Sequence, residues 1–319
     1  MNNQETLPPS ELTAPLTATA LGFTQRSEKL WNKELAKEQF EFAVVDWRNM
    51  ADLVAVEELQ MEVWGMPERS VVPTNLLAIV GDTGGDIIVA KNNREIPVGF
   101  VFTVGTVKNT LILHMIGVHP DFRLHKDLGW NLSVLQGLLA LRKGISKIAW
   151  TFDPLRGSNA RLNLEKLGGV ATKYTVNKYG IERNQLYGEV PTDRFTIEWD
   201  LRNPRTIQRL LDVQAGRLVP LSLADVAHLP VIVSAEGILP PKFLVEIPFD
   251  VDTVPAAERD EVMIRWRTQL RNIFGQVLSC ETTTETTHRE AVVTGFATSK
   301  EERRSFYVVE QNAESMTQR

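Results

Sequence analysis

The spacing of hydrophobic and polar positions changes several times along the chain, and each change marks an element. EFAVVDW, Glu41 to Trp47, is dense in apolar and β-branched residues and reads as a strand. From Met50 the period lengthens: Leu53, Val56, Leu59 and Val63 recur at helical spacing, and Gly65 stops the run. In GDIIVAKNNREIPVGFVFTVG two β-rich runs are joined across KNNRE, whose paired asparagines suit a hairpin turn. TLILHMIGV is a further strand, almost wholly apolar. From Leu128 onward Leu132, Leu135 and Leu139 share one helical face, and Gly144 ends that helix. ISKIAWTFD reads as a strand and GSNARLNLEKLGG as a short helix with a Ser or Asn start and a Gly stop. VATKYTVNKYG and DRFTIEWDL close the series as strands. Residues 28–40 are charged and helix-prone. The order over 41–202, β-α-β-β-β-α-β-α-β-β, predicts an α/β chain: a mixed sheet with helices on its faces.

A new section opens at NPRTIQRLLDVQ, where Asn203 is placed to cap a helix and Pro204 to take its first position. After Pro-rich patches come a strand (KFLVEIPFD), a long helix (AAERDEVMIRWRTQLRNIFGQVL) and two more strands (EAVVTGFAT, RSFYVVEQ). This β-α-β-β unit has no reactive constellation. Its apolar strands need covering, so it is expected to pack on or beside the first domain or to offer a homodimer surface. The plan is a disordered tail over 1–27, biased to Pro, Thr and Ala, a domain over 28–202 and a C-terminal α/β extension over 203–319. The ERR and RWR runs read as solvated charges.

Composition narrows the function classes. With 43% hydrophobic and 24% charged residues the chain is an ordinary globular protein, and its net charge of −5 argues against a general nucleic-acid binder. No run of eighteen apolar residues suggests a membrane span, and the N-terminus lacks the basic and apolar regions of a secretory signal. One cysteine, Cys280, excludes an internal disulfide and a CxxC metal site. No His, Cys, Asp and Glu cluster has metal-ligand spacing, so no metal is expected. A cytoplasmic setting is.

Candidate chemistry gathers in HMIGVHPDFRLHKDLGWNL, His114 to Leu132, which reads as strand, turn, basic loop and helix. A helix N-terminus leaves backbone N–H groups without intrahelical partners and has about half a positive charge, which suits phosphate. Arg123, His125 and Lys126 precede Leu128 and Gly129, and a glycine there lets a ligand come close. A plain strand-to-helix turn with solvated charges is the competing reading.

Residues 41–202 resemble the GNAT superfamily of acyl-CoA-dependent N-acyltransferases. Val118, Pro120 and Arg123 match the start of its coenzyme A motif, V-x-P-x-x-R/Q followed by x-x-G-x-G/A. Asn159, Lys166, Leu167 and Gly168 match the later N-x-x-…-K-L-G pattern. VWG, HMIGVHP, WTFDPL, NARLNLEKLG and the later VEIPFD…RWR further resemble a branch of predicted acetyltransferases of unsettled substrate. The resemblance implies a mixed, mostly antiparallel sheet flanked by helices. It implies acetyl transfer from acetyl-CoA to a primary amine, on a small molecule or a peptide. Coenzyme contacts are implied at Ile116, Val118, Arg123, Leu124, His125, Lys126, Asp127, Leu128, Gly129 and Asn159.

Two departures from the family stand out. Asp127 occupies what is usually the first motif glycine, with one residue more before it than the pattern provides. Leu164 stands where a tyrosine often protonates the departing thiolate. A catalytically impaired coenzyme-binding or regulatory protein is therefore the alternative reading. Asp153, at the end of ISKIAWTFD, is the candidate to take a proton from the substrate ammonium; capping the following turn is its other reading. His119 is a further acid–base candidate.

Overall fold

The structure, a computed structural model, describes residues 16–123, 127–181, 190–282, 286–287 and 291–311. It is mixed α/β, with mostly antiparallel sheet flanked by helices, as the sequence led one to expect. The chain divides into two compact units, Met1–Ile148 with Asp200–Leu218, and Ala149–Trp199 with Val219–Arg319.

In the first unit β1 (Thr24–Ser27), β2 (Leu30–Leu35), β3 (Glu38–Val44), β4 (Ile87–Lys91), β5 (Pro97–Val107) and β6 (Thr110–Val118) lie side by side in chain order, each antiparallel to the next. Alternate residues of β5 serve opposite faces, as the pleat requires. Phe100 and Phe102 join Leu53, Val56, Leu59 and Val63 of α1 (Met50–Trp64) in one buried cluster. At roughly 1.5–3 kcal/mol for each fully buried side chain, that stripe is what holds α1 on the sheet. Gly65 ends α1 at φ 64, the left-handed stop its position predicts. Gly99 faces the other way, toward Leu128 and Leu132 of α3 (Leu128–Arg142). Ile116 and Val118 pair with Val101 and Gly99, so both stand on the α3 face of β6. A short helix, α2 (Thr74–Ala78), follows α1.

Two expectations are corrected in this unit. The charged stretch 28–40 is a hairpin, with Ala36 and Lys37 at φ 53 and 69, the positive pair a two-residue hairpin turn wants. Charge at Lys29, Lys33, Glu34 and Lys37 hides a period of two in which Trp31, Lys33 and Leu35 point inward. Within the expected tail, Leu21 and Phe23 are buried and Phe23 meets Phe42 edge-on at 5.5 Å. Apolar side chains with a surface to cover order residues 21–23, while residues 1–15 of the expected tail lie outside the described residues. The helix α4 (Pro204–Gln214) starts as expected, Asn203 Oδ1 accepting from Arg205 N at 2.9 Å, but it belongs to the first unit.

The second unit has the strand order β7 (Lys147–Phe152), β9 (Arg194–Asp200), β8 (Val170–Thr175), β13 (Val292–Ser299), β14 (Arg304–Glu310), β10 (Lys242–Pro248). A short strand missed in the sequence, β11 (Ser279–Glu281), runs parallel to β8 and pairs with β12 (Thr286–Thr287). Phe195 of β9 is the hub of the core. It touches Phe152, Tyr174, Phe274 and Tyr307 at 5.8, 5.7, 4.8 and 5.2 Å. Phe274 belongs to α5 (Ala256–Val277), whose buried stripe is Met263, Arg267, Leu270 and Phe274. Strands from before residue 202 and elements from after 219 thus share one core, and the expected boundary at 202/203 is not where the units part.

Candidate functional site

The turn singled out in the sequence is built at the end of β6. His119 Nδ1 accepts from Asp121 N at 3.2 Å and so caps the turn Pro120–Phe122, while its Nε2 lies 3.7 Å from Glu62. Arg123 donates from Nη2 to Val63 O, in the last turn of α1, and from Nε to Val118 O at 3.3 Å. A guanidinium at a helix C-terminus is favourable, and here it braces α1 against the end of β6. Those groups of Arg123 are engaged with backbone rather than turned to a phosphate. Leu124, His125 and Lys126 lie outside the described residues.

Asp127 is the N-cap of α3 at φ 69, ψ 23, with no side-chain capping bond. This is the left-handed backbone that a glycine takes freely and an aspartate tolerates at a cost. The residue departs from the motif, but the backbone keeps the geometry a glycine there would take. Asn131 makes the first intrahelical bond, N to Asp127 O at 2.8 Å, so the N–H groups of Leu128, Gly129 and Trp130 precede the ladder. Gly129 sits among them. Among the described residues a Cβ built on it would meet nothing nearer than Val118 Cγ2 at 3.8 Å. Glycine weakens a helix by roughly 0.5–1 kcal/mol relative to alanine, and among the described residues no neighbour requires it here. Among the described residues the space over Gly129 is bounded by Val118, and a side chain would partly fill it. Val118, Asp127, Leu128 and Gly129 are thus brought together; Ile116 lies one pleat along the same face of β6. Leu128 itself is buried toward Gly99.

Asp153 and Asn159 belong to the second unit. Asn159 is exposed in the short helix Gly157–Ala160. Asp153 is 1% exposed, and Arg267 grips both its oxygens at 3.1 and 2.8 Å. Its Oδ1 also accepts from Leu155 N at 3.0 Å, and Arg194 Nη1 lies 3.9 Å away. Burial raises the Asp153 pKa, but the Arg267 charge and its hydrogen bonds outweigh burial and hold the carboxyl below its ordinary range. A carboxylate so held is a poor acceptor for an ammonium proton. The base reading of Asp153 is corrected to an ion-pair anchor and turn cap.

A second buried carboxylate, unforeseen in the sequence, lies beside it. Asp193 accepts from Tyr174 Oη at 2.6 Å, from Arg271 Nε and Nη2 at 2.8 and 2.7 Å, and from Asn177 N at 3.0 Å. Burial pushes the Tyr174 hydroxyl well above its ordinary value, with Asp193 adding to it. The RWR run read as solvated therefore contains Arg267, one of the most buried side chains; its spacing from Met263 and Leu270 was the signal. Leu164 is fully buried, packing where an acid was sought.

Among the described residues no group of three or more His, Cys, Asp and Glu could hold a metal, and no helix is long and apolar enough to cross a membrane. A cavity of about 380 Å³ between the end of β3 and the start of β4 is lined by Trp47, Arg48, Asp86 and Lys143 among others, and by none of the sequence-selected residues.

No family model matches the chain, and no curated protein matches it. Solved structures do resemble it, and they are acetyltransferases. The ribosomal-protein-S18-alanine N-acetyltransferase of Escherichia coli is 15% identical over 51% of this chain and 94% of its own, with a TM-score of 0.41. The IAA acetyltransferase of Bacillus cereus is 16% identical over 51% and 99%, with a TM-score of 0.39. The PaiA N-acetyltransferase of Thermoplasma acidophilum, solved in complex with coenzyme A, is 15% identical over 50% and 98%, with a TM-score of 0.39. Likeness at this level assigns no role to any residue.

Proposed function

We propose that the chain is an acyl-CoA-dependent N-acyltransferase, with acetyl the simplest group transferred and a primary amine of a small molecule or peptide as acceptor. One observation bears most of the weight. At the N-terminus of α3 the N–H groups of Leu128, Gly129 and Trp130 precede the helical ladder, Asp127 is left-handed, and among the described residues only Val118 comes within 4 Å of a Cβ built on Gly129. Backbone donors at a helix start suit a pyrophosphate, and the motif residues Val118 and Pro120 lead into them. The coenzyme supplies an activated thioester, and the chain's own part is to bind and orient it. Ile116 and Val118, on the α3 face of β6, present the strand along which the pantetheine arm would lie. Rate then comes chiefly from holding amine and thioester together. With Leu164 in the core and Asp153 in its ion pair, proton movements fall to water.

Those same two residues favour a second reading: a coenzyme-binding protein that turns over slowly or not at all. One experiment separates the outcomes. The full chain is titrated with coenzyme A by calorimetry, then assayed for thiol release from acetyl-CoA across a panel of amines and peptides. Binding that Gly129→Leu abolishes, with turnover on one acceptor, is the expected result. Binding without turnover on any acceptor favours the second reading. Binding equal in the parent and in Gly129→Leu removes the site from this turn.

A further inference from the structure

One lysine is buried behind the first turn of α3. Lys33 points inward from β2 and is 7% exposed. Its ammonium donates to Leu21 O at 2.7 Å and to Gln214 Oε1 at 2.6 Å, and it lies over the rings of Phe23 and Trp130 at 4.7 and 5.1 Å. Carbonyl oxygens and ring faces solvate an ammonium without neutralising it. Trp130 is the third residue of α3, so the positive charge rests against the turn that precedes the helical ladder. Among the described residues the other surroundings offer little charge. Segment 17–23 has no titratable side chain, α4 presents the neutral Gln214, and β3 places Phe40 opposite Lys33. Arg142, at the far end of α3, stacks over Trp31 at 5.2 Å. The carboxylate whose field reaches Lys33 is that of Asp127.

A carboxylate at the N-cap of a helix that is to receive an anion works against its own site. An ammonium on the inner side of the same turn cancels that field. Resting on the coenzyme reading above, we propose that Lys33 is a positioning residue for the anion turn. From behind α3 it offsets Asp127 and restores a positive helix start to the ligand's phosphates. Burial lowers its pKa to about 8 against the pull of Asp127. The offset is therefore lost at alkaline pH, where phosphates stay ionised.

Desulfo-coenzyme A, which has no thiol to titrate, is the probe. Its affinity for the full chain is measured by calorimetry from about one and a half pH units below the Lys33 value of about 8 to as far above it. In the parent, affinity should fall by about tenfold through that value, the scale of a partly buried charge acting at a helix end. Lys33→Met should bind weakly and evenly across the range, and Asp127→Asn added to it should restore affinity. Lys33→Arg, whose guanidinium stays charged, should bind tightly and evenly; it serves as the test alone if Lys33→Met does not fold. A fall through pH of about 8 that persists unchanged in Lys33→Arg, or in a folded Lys33→Met, overturns the role of Lys33 and leaves the coenzyme reading standing. A folded parent that binds no probe at any pH removes the coenzyme reading and the proposal with it.

Discussion

Single residues in this chain are read most sharply through their ion pairs. Breaking one partner of a buried pair strands the other charge and costs roughly 3–5 kcal/mol. Asp153→Asn should therefore destabilise the protein by that order in a denaturant melt, because Arg267 at 2.8 Å loses its charged partner. Asp153→Leu combined with Arg267→Met should cost far less, since the apolar pair needs no solvation. A Asp153→Asn chain as stable as the parent would contradict the anchor role. The pH dependence has a definite sign. The folded pKa of Asp153 is lowered, so its contribution is present above the unfolded value of about 3.9 and is lost as pH falls through the folded value. Lys33 behaves differently, because its folded pKa is depressed to about 8 from 10.5. Between those values the unfolded chain binds the proton and the folded chain does not, so this group adds stability as pH rises, on the order of 3 kcal/mol in all. The difference between the parent and Lys33→Met, followed by melting across that range, should show a limb of this sign. Parallel curves would mean that Lys33 keeps its proton.

At the scale of elements, α3 shows what glycine at position 129 costs. Among the described residues its Cβ would meet only Val118 Cγ2, at 3.8 Å. Gly129→Ala should then raise stability by about 0.5 kcal/mol through reduced chain entropy, while weakening coenzyme binding by crowding that space. A variant that gains stability and loses no affinity would show that no ligand comes close there. The elements themselves were largely legible: α1, the β4–β5 hairpin, β6, α3 and α5 all lie where apolar period and glycine stops put them. The β2–β3 hairpin was not, because charge on its outward positions masks a period of two that Trp31, Leu35, Phe40 and Phe42 obey. The turn at 127–129 was visible as a departure from a motif. That Asp127 adopts a left-handed backbone could be learned only from φ. Lys33 was invisible for a related reason: in a stretch read as charged and helix-prone, a lysine looks solvated until the strand and its opposing face are known. The partner of Asp153 lies 114 residues further along the chain, beyond the reach of any local pattern.

For the whole molecule, the division of the chain decides what can be removed. Helix α4 belongs with the first unit and gives Lys33 its Gln214 partner, while everything from Val219 onward belongs with strands that precede residue 200. A chain ending at Arg202 would keep β7, β8 and β9 but lose α5, β10, β13 and β14. Phe195 would lose Phe274 and Tyr307, its neighbours at 4.8 and 5.2 Å. Asp153 would lose Arg267 and Asp193 would lose Arg271, leaving two carboxylates stranded in what had been a core. Two such losses, at roughly 3–5 kcal/mol each, are comparable with the whole stability of a typical domain, about 5–15 kcal/mol. The truncated chain should therefore scatter light as an aggregate and show no cooperative melt. Extending it to Leu218 restores Gln214 to Lys33, yet leaves the aromatic core and both carboxylates open, so it should aggregate as well. A soluble, monomeric chain ending at Arg202 that melts with the parent would show that residues 28–202 stand alone. The shared core around Phe195 would then contribute nothing to folding.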